Sequence, residues 1–131
     1  MVFDPASSDS ASEAAFPCSL CGNTAGTVEI LSPEHPHGLS KGSSTICISG
    51  FIGEERVLLP ESAETALRRC LEAADPAALH ALEQLWAPFY CPACARVYCV
   101  EHWTVVPEYD EEFFDHSHGY CPEGHRRLIE D

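Results

Sequence analysis

The sequence has little positive charge. Its 131 residues include 7 Lys and Arg against 21 Asp and Glu, which gives a formal net charge of -14 at pH 7. Proteins that bind nucleic acid or an anionic membrane need Lys and Arg to neutralise phosphate groups. The composition therefore argues against both kinds of partner, and nucleic-acid binding is the least favoured function.

Long apolar runs are also lacking. No run approaches the roughly 18 residues that a membrane-spanning helix needs. The first residues, "MVFDPASSDSASEAAF", lack the basic start and the apolar stretch of a secretory signal. We therefore expect a cytoplasmic protein. Residues 1–15 offer little to bury and are predicted to be a disordered lead, while residues 16–131 are predicted to form a single folded domain.

Cysteine, in contrast, is abundant, with eight residues in a short chain. In a reducing cytoplasm such cysteines serve as metal ligands more often than as disulfides. Six of them combine with two histidines into four closely spaced pairs, the spacing that tetrahedral zinc sites use. The pairs are Cys18-x2-Cys21, Cys91-x2-Cys94, Cys99-x2-His102 and Cys121-x3-His125.

Four pairs supply enough donors for two closed, four-coordinate zinc ions, so residues 16–131 are predicted to be a single zinc-binding domain. Because protein would fill every coordination position, both zinc ions are predicted to be structural rather than catalytic. Iron or an iron–sulfur cluster is the alternative, which the histidine content makes less suitable. The spacing alone leaves open whether the pairs combine in sequence, first with second and third with fourth, or interleave.

The stretch "CPACARVYCVEH", residues 91–102, resembles the central part of FYVE fingers. There a Cys-x2-Cys pair, four residues ending in an aromatic, and another Cys-x2-Cys pair follow one another. The final His resembles the small fingers of RING-related and ubiquitin-linked proteins. In those families the pairs interleave as a cross-brace, also called treble-clef-like. The resemblance implies a site one made of Cys18, Cys21, Cys99 and His102, and a site two made of Cys91, Cys94, Cys121 and His125.

The similarity to RING fingers also implies a contact surface. RING ligases often carry an apolar residue inside the first pair, and a Pro and a basic residue beside a later one. Leu20 in "CSLC" and Pro92 and Arg96 in "CPACAR" match those positions. They would contact a ubiquitin-like conjugating enzyme. Alternatively, Pro92 shapes its turn, Leu20 packs in the core and Arg96 is solvated. FYVE lipid binding is not expected, because "LWAPFY" replaces the required basic run.

Residues 22–90 form an insertion between the first two pairs. "TVEIL" and "STICISGFIGEERVLL" are rich in β-branched residues and predict strands, with a hairpin turning around residues 50–55. Apolar residues at helical spacing predict a helix over residues 62–74, with Cys70 in its core stripe. Asp75 followed by Pro76 predicts the start of a second helix that ends near Pro88. The predicted fold class is α+β, a small two-zinc cross-brace module with an inserted β-hairpin and two helices.

Several further side chains have open roles. His35 and His37, and likewise His116 and His118, are predicted to bind a third metal, to add to one of the two sites, or simply to be exposed. Cys47 lies between isoleucines and is either an apolar filler or a nucleophile. The acidic run "PEYDEEFFDHSH" either performs acid–base chemistry or is a solvated loop with an aromatic anchor in the zinc module.

The function favoured by the sequence is a structural-zinc adaptor that binds another protein. Its narrower form is a RING-like scaffold for a ubiquitin-like conjugating system, without a catalytic nucleophile of its own. The alternative is an enzyme that uses Cys47 or the acidic run, with zinc purely structural. The sequence does not indicate an oligomeric state.

Overall fold

A computed structural model describes residues 12–130 of the chain. Within these residues the protein combines two α-helices with three antiparallel sheets, which confirms the predicted mixture of helix and strand. The helices are α1 (Glu64–Ala73) and α2 (Pro76–Leu82), and short 3-10 helices span Glu61–Ala63, Gln84–Trp86 and Val100–His102. The strands are β1 (Glu13–Pro17), β2 (Thr24–Leu31), β3 (Thr45–Ser49), β4 (Glu54–Leu58), β5 (Tyr90–Cys91), β6 (Arg96–Val97), β7 (Thr104–Asp110), β8 (Phe113–Tyr120) and β9 (Arg126–Glu130).

The largest sheet has the order β1-β2-β3-β4, and each strand is antiparallel to its neighbours. Apolar residues of the two central strands lie opposite each other, as Val28 does to Ile48. The predicted hairpin is confirmed, because β3 pairs with β4 across a turn that contains Gly50 and Gly53. Both glycines have positive φ, 89° and 98°, which residues with a Cβ rarely adopt.

Strand β1 corrects the boundary predicted for the disordered lead. Ala14 and Phe16 are buried and alternate with exposed residues, the period that a half-buried strand requires. β1 is paired with β2, so residues 13–15 belong to the folded part. Only two side chains of this strand are buried, and the surrounding Ser, Ala and Glu residues leave no clear strand pattern in the sequence. Residues 1–11 of the predicted lead lie outside the described residues.

The two helices are separated by a linker of only two residues, Ala74 and Asp75. In α1, Leu67, Cys70 and Leu71 are buried, as the predicted stripe requires. The Asp75 side chain accepts hydrogen bonds from the backbone N–H groups of Ala77 and Ala78, both at 3.1 Å, and so caps α2. α2 ends at Leu82 rather than near Pro88. Glu83 is extended and its carboxylate caps the next 3-10 helix, which interrupts the predicted helix.

One hydrophobic cluster includes residues from all three sheets and both helices. Aromatic rings connect its parts: Phe16 stacks on Phe89 at 5.1 Å between centroids, and Phe51 meets Trp103 edge-on at 6.3 Å. The turns that carry the paired cysteines are therefore held on a common core. Within residues 12–130, no helix has the length and apolar character needed to cross a membrane.

Candidate metal centres

The eight paired donors lie in two groups of four. Within each group the ligand atoms all lie within 4.8 Å of one another. One group is Cys18, Cys21, Cys99 and His102, and the other is Cys91, Cys94, Cys121 and His125. The fold thus brings the first pair to the third and the second pair to the fourth.

The first pair occupies the turn between β1 and β2. The backbone N–H of Cys18 donates to the carbonyl of Asn23 at 2.7 Å, and that of Gly22 donates to the carbonyl of Cys18 at 2.9 Å. Gly22 has a φ of 78°, the left-handed conformation that a glycine supplies at little cost. The turn therefore directs Cys18 and Cys21 toward one point.

The second and fourth pairs occupy similar turns. Between β5 and β6, the N–H of Ala95 donates to the Cys91 carbonyl at 2.8 Å. Between β8 and β9, the N–H of Gly124 donates to the Cys121 carbonyl at 2.8 Å, and Gly124 has a φ of 91°. Each hairpin turn closes around its own pair, so local backbone hydrogen bonds preorganise both halves of site two.

The third pair follows β6 directly. The N–H of His102 donates to the Cys99 carbonyl at 2.9 Å within a short 3-10 helix, which brings the two side chains together. Ser19 links this region to the first turn, since both its N–H and its hydroxyl donate to the Val97 carbonyl at 2.8 Å. Site one is thereby assembled from segments far apart in sequence.

The distances between donors fit a tetrahedral ion. With zinc–sulfur bonds of about 2.3 Å, two sulfurs of a tetrahedron lie about 3.8 Å apart. The Sγ atoms of Cys21 and Cys99 are 3.7 Å apart, and so are those of Cys94 and Cys121. Bonded sulfurs of a disulfide would be about 2.05 Å apart. None of the eight cysteines forms a disulfide bond.

Both histidines present Nδ1 to their sulfurs. In site one, Nδ1 of His102 lies 3.2 Å from Sγ of Cys99 and 3.5 Å from Sγ of Cys18. In site two, Nδ1 of His125 lies between 3.2 and 3.7 Å from the three sulfurs. A zinc tetrahedron with one nitrogen donor has sulfur–nitrogen separations of about 3.5 Å. The histidine positions therefore match the same geometry as the sulfurs.

One thiol in each site is prepared for ionisation by backbone N–H groups. Burial acts to raise the pKa of Cys18, but the N–H groups of Cys99, Cys21 and Leu20 outweigh burial and lower that pKa to about 6. Burial likewise opposes ionisation of Cys121, whose pKa the N–H groups of His125 and Glu123 lower to about 7. Hydrogen bonds to sulfur stabilise the thiolate, which is the form that binds metal.

Another thiol in each site has a raised rather than a lowered pKa. Burial raises the pKa of Cys91 to about 11 and also raises the pKa of Cys99. Several thiolates in contact repel one another, so full ionisation of either site requires a cation among them. The donor set of each site therefore fits a divalent metal ion.

Arg127 is a buried cation that sequence reasoning missed. Its guanidinium donates to the carbonyls of Gln84, Ala87 and Tyr90 at 2.7 to 2.8 Å. Burial lowers its pKa to about 10. These bonds tie β9, which follows the fourth pair, to the segment that leads into Cys91. No local signal marks Arg127, because its partners lie 37 to 43 positions away in sequence.

Comparison with known proteins assigns the chain to a family. The sequence profile of a domain of unknown function, DUF8328, matches residues 8–131. The chain belongs to the DUF8328 family. The matched region of this DUF8328 domain contains all eight donors. Neither a curated protein nor a solved structure gives a match, so the likeness to FYVE and RING fingers is one of sequence motifs alone.

The predicted contact residues lie on the surface of the DUF8328 domain. Leu20 is 52% exposed, so it does not pack in the core. Pro92 and Arg96 are also exposed. Because Ser19 bonds to Val97, the turn that carries Leu20 adjoins the strand that carries Arg96. These three side chains are therefore accessible to a partner.

The other histidines stay outside the two metal groups. Within residues 12–130, the only groups of three or more His, Cys, Asp or Glu donors close enough to hold an ion are sites one and two. The rings of His35 and His37 lie 5.5 Å apart in the β2–β3 loop. His116 pairs with Asp115 at 2.8 Å, and Nδ1 of the buried His118 lies 3.7 Å from Glu108.

Cys47 of this DUF8328 domain is not prepared for nucleophilic chemistry. It is buried in β3, and its thiol donates to the Glu54 carboxylate at 3.3 Å. Burial and the adjacent Glu54 raise its pKa to about 11. A nucleophilic cysteine needs the opposite shift. The prediction of an apolar filler is also wrong, because Cys47 lies opposite Glu29 and Arg56 in the sheet and is not part of the hydrophobic cluster. Cys47 is a buried, unreactive thiol.

The acidic run forms a hairpin rather than a loop. Most of it lies in β7 and β8, which turn at Glu111 and Glu112. The expected aromatic anchor is wrong, because Phe113 and Phe114 are 76% and 48% exposed. Strand pairing directs these rings outward at the end of the hairpin, away from the core that holds the metal sites.

Proposed function

We propose that the chain is a structural-zinc module in which eight donors hold two zinc ions as a cross-brace. The observation that carries this proposal is the grouping of the first pair with the third and of the second with the fourth. Three thiolates and one imidazole form a set that zinc prefers in closed tetrahedral sites. The sulfur–sulfur separations of 3.7 Å support the same assignment.

Zinc in this arrangement stabilises the fold and performs no chemistry on a substrate. Protein side chains fill all four positions, so no position is open for water or a ligand. Each ion joins segments that are distant in sequence, and closing such long loops removes much conformational freedom from the unfolded chain. The binding free energy of zinc is therefore part of the folding free energy.

Double variants test the pairing. Under the cross-brace, Cys18→Ser with Cys99→Ser damages site one alone, and one zinc per chain should remain. Cys18→Ser with Cys91→Ser damages both sites, and both ions should be lost. Sequential pairing predicts instead that the variant at Cys18 and Cys99 loses both ions and that the variant at Cys18 and Cys91 keeps one. Zinc per chain, measured after gel filtration, distinguishes the schemes, and the reverse result would refute the cross-brace.

The module acts, in this proposal, as an adaptor that binds another protein in the cytoplasm. Closed metal sites and a buried, protonated Cys47 leave the enzyme alternative without an activated group at that residue. Free thiols in both sites suit a reducing compartment. Exposed apolar residues in two separate places supply surface for contact, with Leu20 on the first zinc-site turn and Phe113 at the start of β8.

The narrower candidate is a RING-like scaffold for a ubiquitin-like conjugating enzyme. The exposure of Leu20 favours it, since an apolar side chain on a zinc-site turn is available for contact beside Arg96. Purified conjugating enzymes, loaded with their ubiquitin-like protein, should discharge faster in the presence of the module. Leu20→Asp should abolish the effect, whereas Leu39→Asp, at an equally exposed leucine elsewhere, should not. Unchanged discharge with wild-type protein would eliminate this form of the proposal.

A further inference from the structure

The β7–β8 hairpin ends in an exposed aromatic and acidic surface. We define the hairpin tip as residues 109–114. Its three aromatic residues, Tyr109, Phe113 and Phe114, are 64%, 76% and 48% exposed. Single exposed apolar residues are common on proteins, but neighbouring exposed aromatics mark an interaction site.

The strands fix how the aromatic rings are presented. Tyr109 and Phe114 are direct partners in the antiparallel register, and their rings meet edge-on at 6.0 Å. Phe113 lies opposite Asp110, next to the turn. Glu111 and Glu112 adopt left-handed φ values of 52° and 78°, as the two central residues of a tight hairpin turn do. The rings and carboxylates are therefore held on paired strands rather than on an irregular loop.

The charge of the hairpin has one sign only. Five carboxylates lie between residues 108 and 115, and no Lys or Arg occurs between Arg96 and Arg126. The whole chain is acidic as well, because six ionised ligand cysteines and two zinc ions would take the formal charge from -14 to about -16. The tip therefore repels acidic surfaces, including a second copy of this chain, and attracts cationic ones.

We infer that the hairpin tip docks a Lys- and Arg-rich segment of a partner protein. This inference rests on the proposed adaptor function and gives the chemistry of the partner. The side-chain cations stack on the faces of the three rings, while the flanking carboxylates pair with the same cations. A nucleic acid presents the wrong charge for this surface. A purely apolar partner would leave the carboxylates desolvated without counter-charges.

Two sets of substitutions separate the contribution of the aromatic rings to peptide binding from that of the carboxylates. Removing aromatic rings with Phe113→Ser and Phe114→Ser should weaken binding of a basic peptide about tenfold or more, because aromatic contacts dominate such interfaces. Replacing the turn carboxylates should also weaken binding of the basic peptide, and should make that binding less dependent on salt concentration. The carboxylate set is Asp110→Asn, Glu111→Gln and Glu112→Gln.

The control sets change the same kinds of side chain elsewhere on the surface. The apolar control is Leu39→Ser with Ile52→Ser, at residues that are 53% and 43% exposed. The carboxylate control is Glu34→Gln, Glu61→Gln and Glu72→Gln, all at exposed positions. Zinc content and the unfolding midpoint are measured for every variant, so that loss of fold is distinguished from loss of contact.

The experiment selects peptides from a displayed random library on the zinc-loaded wild-type protein. The affinities of enriched peptides for each variant are then measured by fluorescence anisotropy at low and high salt. We expect enriched peptides to be rich in Lys and Arg, to bind more weakly at high salt, and to depend on both tip sets but on neither control set.

Three outcomes would overturn the inference. They are an absence of enriched basic peptides, equal binding to tip variants and wild-type protein, and dimerisation of the wild-type protein that the Phe113 and Phe114 substitutions abolish. The last result would identify a second copy as the occupant. A protein that holds two zinc ions but fails these tests refutes only the docking surface. A protein without zinc refutes the proposed function itself.

Discussion

Cys47 is the residue on which the enzyme alternative depends most. Burial and Glu54 raise its pKa from the ordinary 9.0 to about 11, so its thiolate fraction is reduced at neutral pH. At about pH 8 we expect iodoacetamide to alkylate it roughly a hundredfold more slowly than an ordinary cysteine, because the thiolate is the reacting form. The rate should rise as the pH approaches the pKa, and Glu54→Gln should increase it. Peptide mass mapping of the zinc-loaded protein measures the reaction.

The same protein in denaturant with a chelator provides the control for Cys47. There Cys47 should react like the other cysteines, since burial and Glu54 no longer act on it. Rapid alkylation of Cys47 in the folded protein would contradict its assignment as a buried, unreactive thiol. That result would also favour the hypothesis that the protein is an enzyme over the adaptor hypothesis.

A substitution at Gly26 tests how tightly the backbone packs against the aromatic core. A Cβ at this position would lie 2.5 Å from Cδ2 of Phe89, a ring that is fully buried and cannot move aside. We expect Gly26→Ala to lower the free energy of unfolding by about 1–3 kcal/mol, as overpacking does elsewhere. Urea denaturation of the zinc-loaded protein measures the loss. Gly42→Ala is the matched control, because nothing lies within 4 Å of its added Cβ, and equal losses would refute the packing argument.

At the scale of elements, the hairpin of β3 and β4 and the first helix could be predicted because their signals are local. Gly50 and Gly53 mark the turn, and apolar residues at helical spacing mark α1. β7 and β8 were missed because acidic residues interrupt their alternation and because Glu111 and Glu112 lack the usual Asn-Gly turn signal. The donor pairs could be recognised from short spacing, but the contacts of Arg127 could not, because they span some forty residues.

Arg127 holds β9 against the segment before Cys91, and its replacement tests that connection. Arg127→Met removes the hydrogen bonds that the guanidinium donates to the carbonyls of Gln84, Ala87 and Tyr90. The carbonyls of Gln84 and Ala87 each keep one backbone N–H donor. We expect the free energy of unfolding to fall by at least about 3 kcal/mol, since three hydrogen bonds from a charged donor are lost and each contributes about 1.5–3 kcal/mol. Chemical denaturation at saturating zinc measures the change.

Arg126→Met is the matched control for that substitution. Arg126 is the preceding residue and is exposed, so its replacement should leave stability nearly unchanged. If both variants lost the same stability, the loss would reflect general disturbance of β9 rather than the carbonyl contacts of Arg127.

At the scale of the whole molecule, the two metal sites act on one shared core. The ligands Cys18, Cys91, Cys99 and Cys121 belong to the same buried cluster as the aromatic residues. Removal of zinc should therefore destabilise the core as well as the turns. We expect a chelator to lower the thermal midpoint and to weaken the near-ultraviolet circular dichroism signal of the two buried tryptophans, Trp86 and Trp103. Restored zinc should reverse both changes, and a midpoint insensitive to the chelator would contradict structural zinc.

The most direct test is the metal content of the folded protein. Native mass spectrometry of protein purified without chelator measures the number and identity of bound ions together. Two zinc ions per chain are expected, since six thiolates and two imidazoles form two complete tetrahedral sites. An average below about 1.5 zinc ions per chain, or a different metal in both sites, would contradict the two-zinc module.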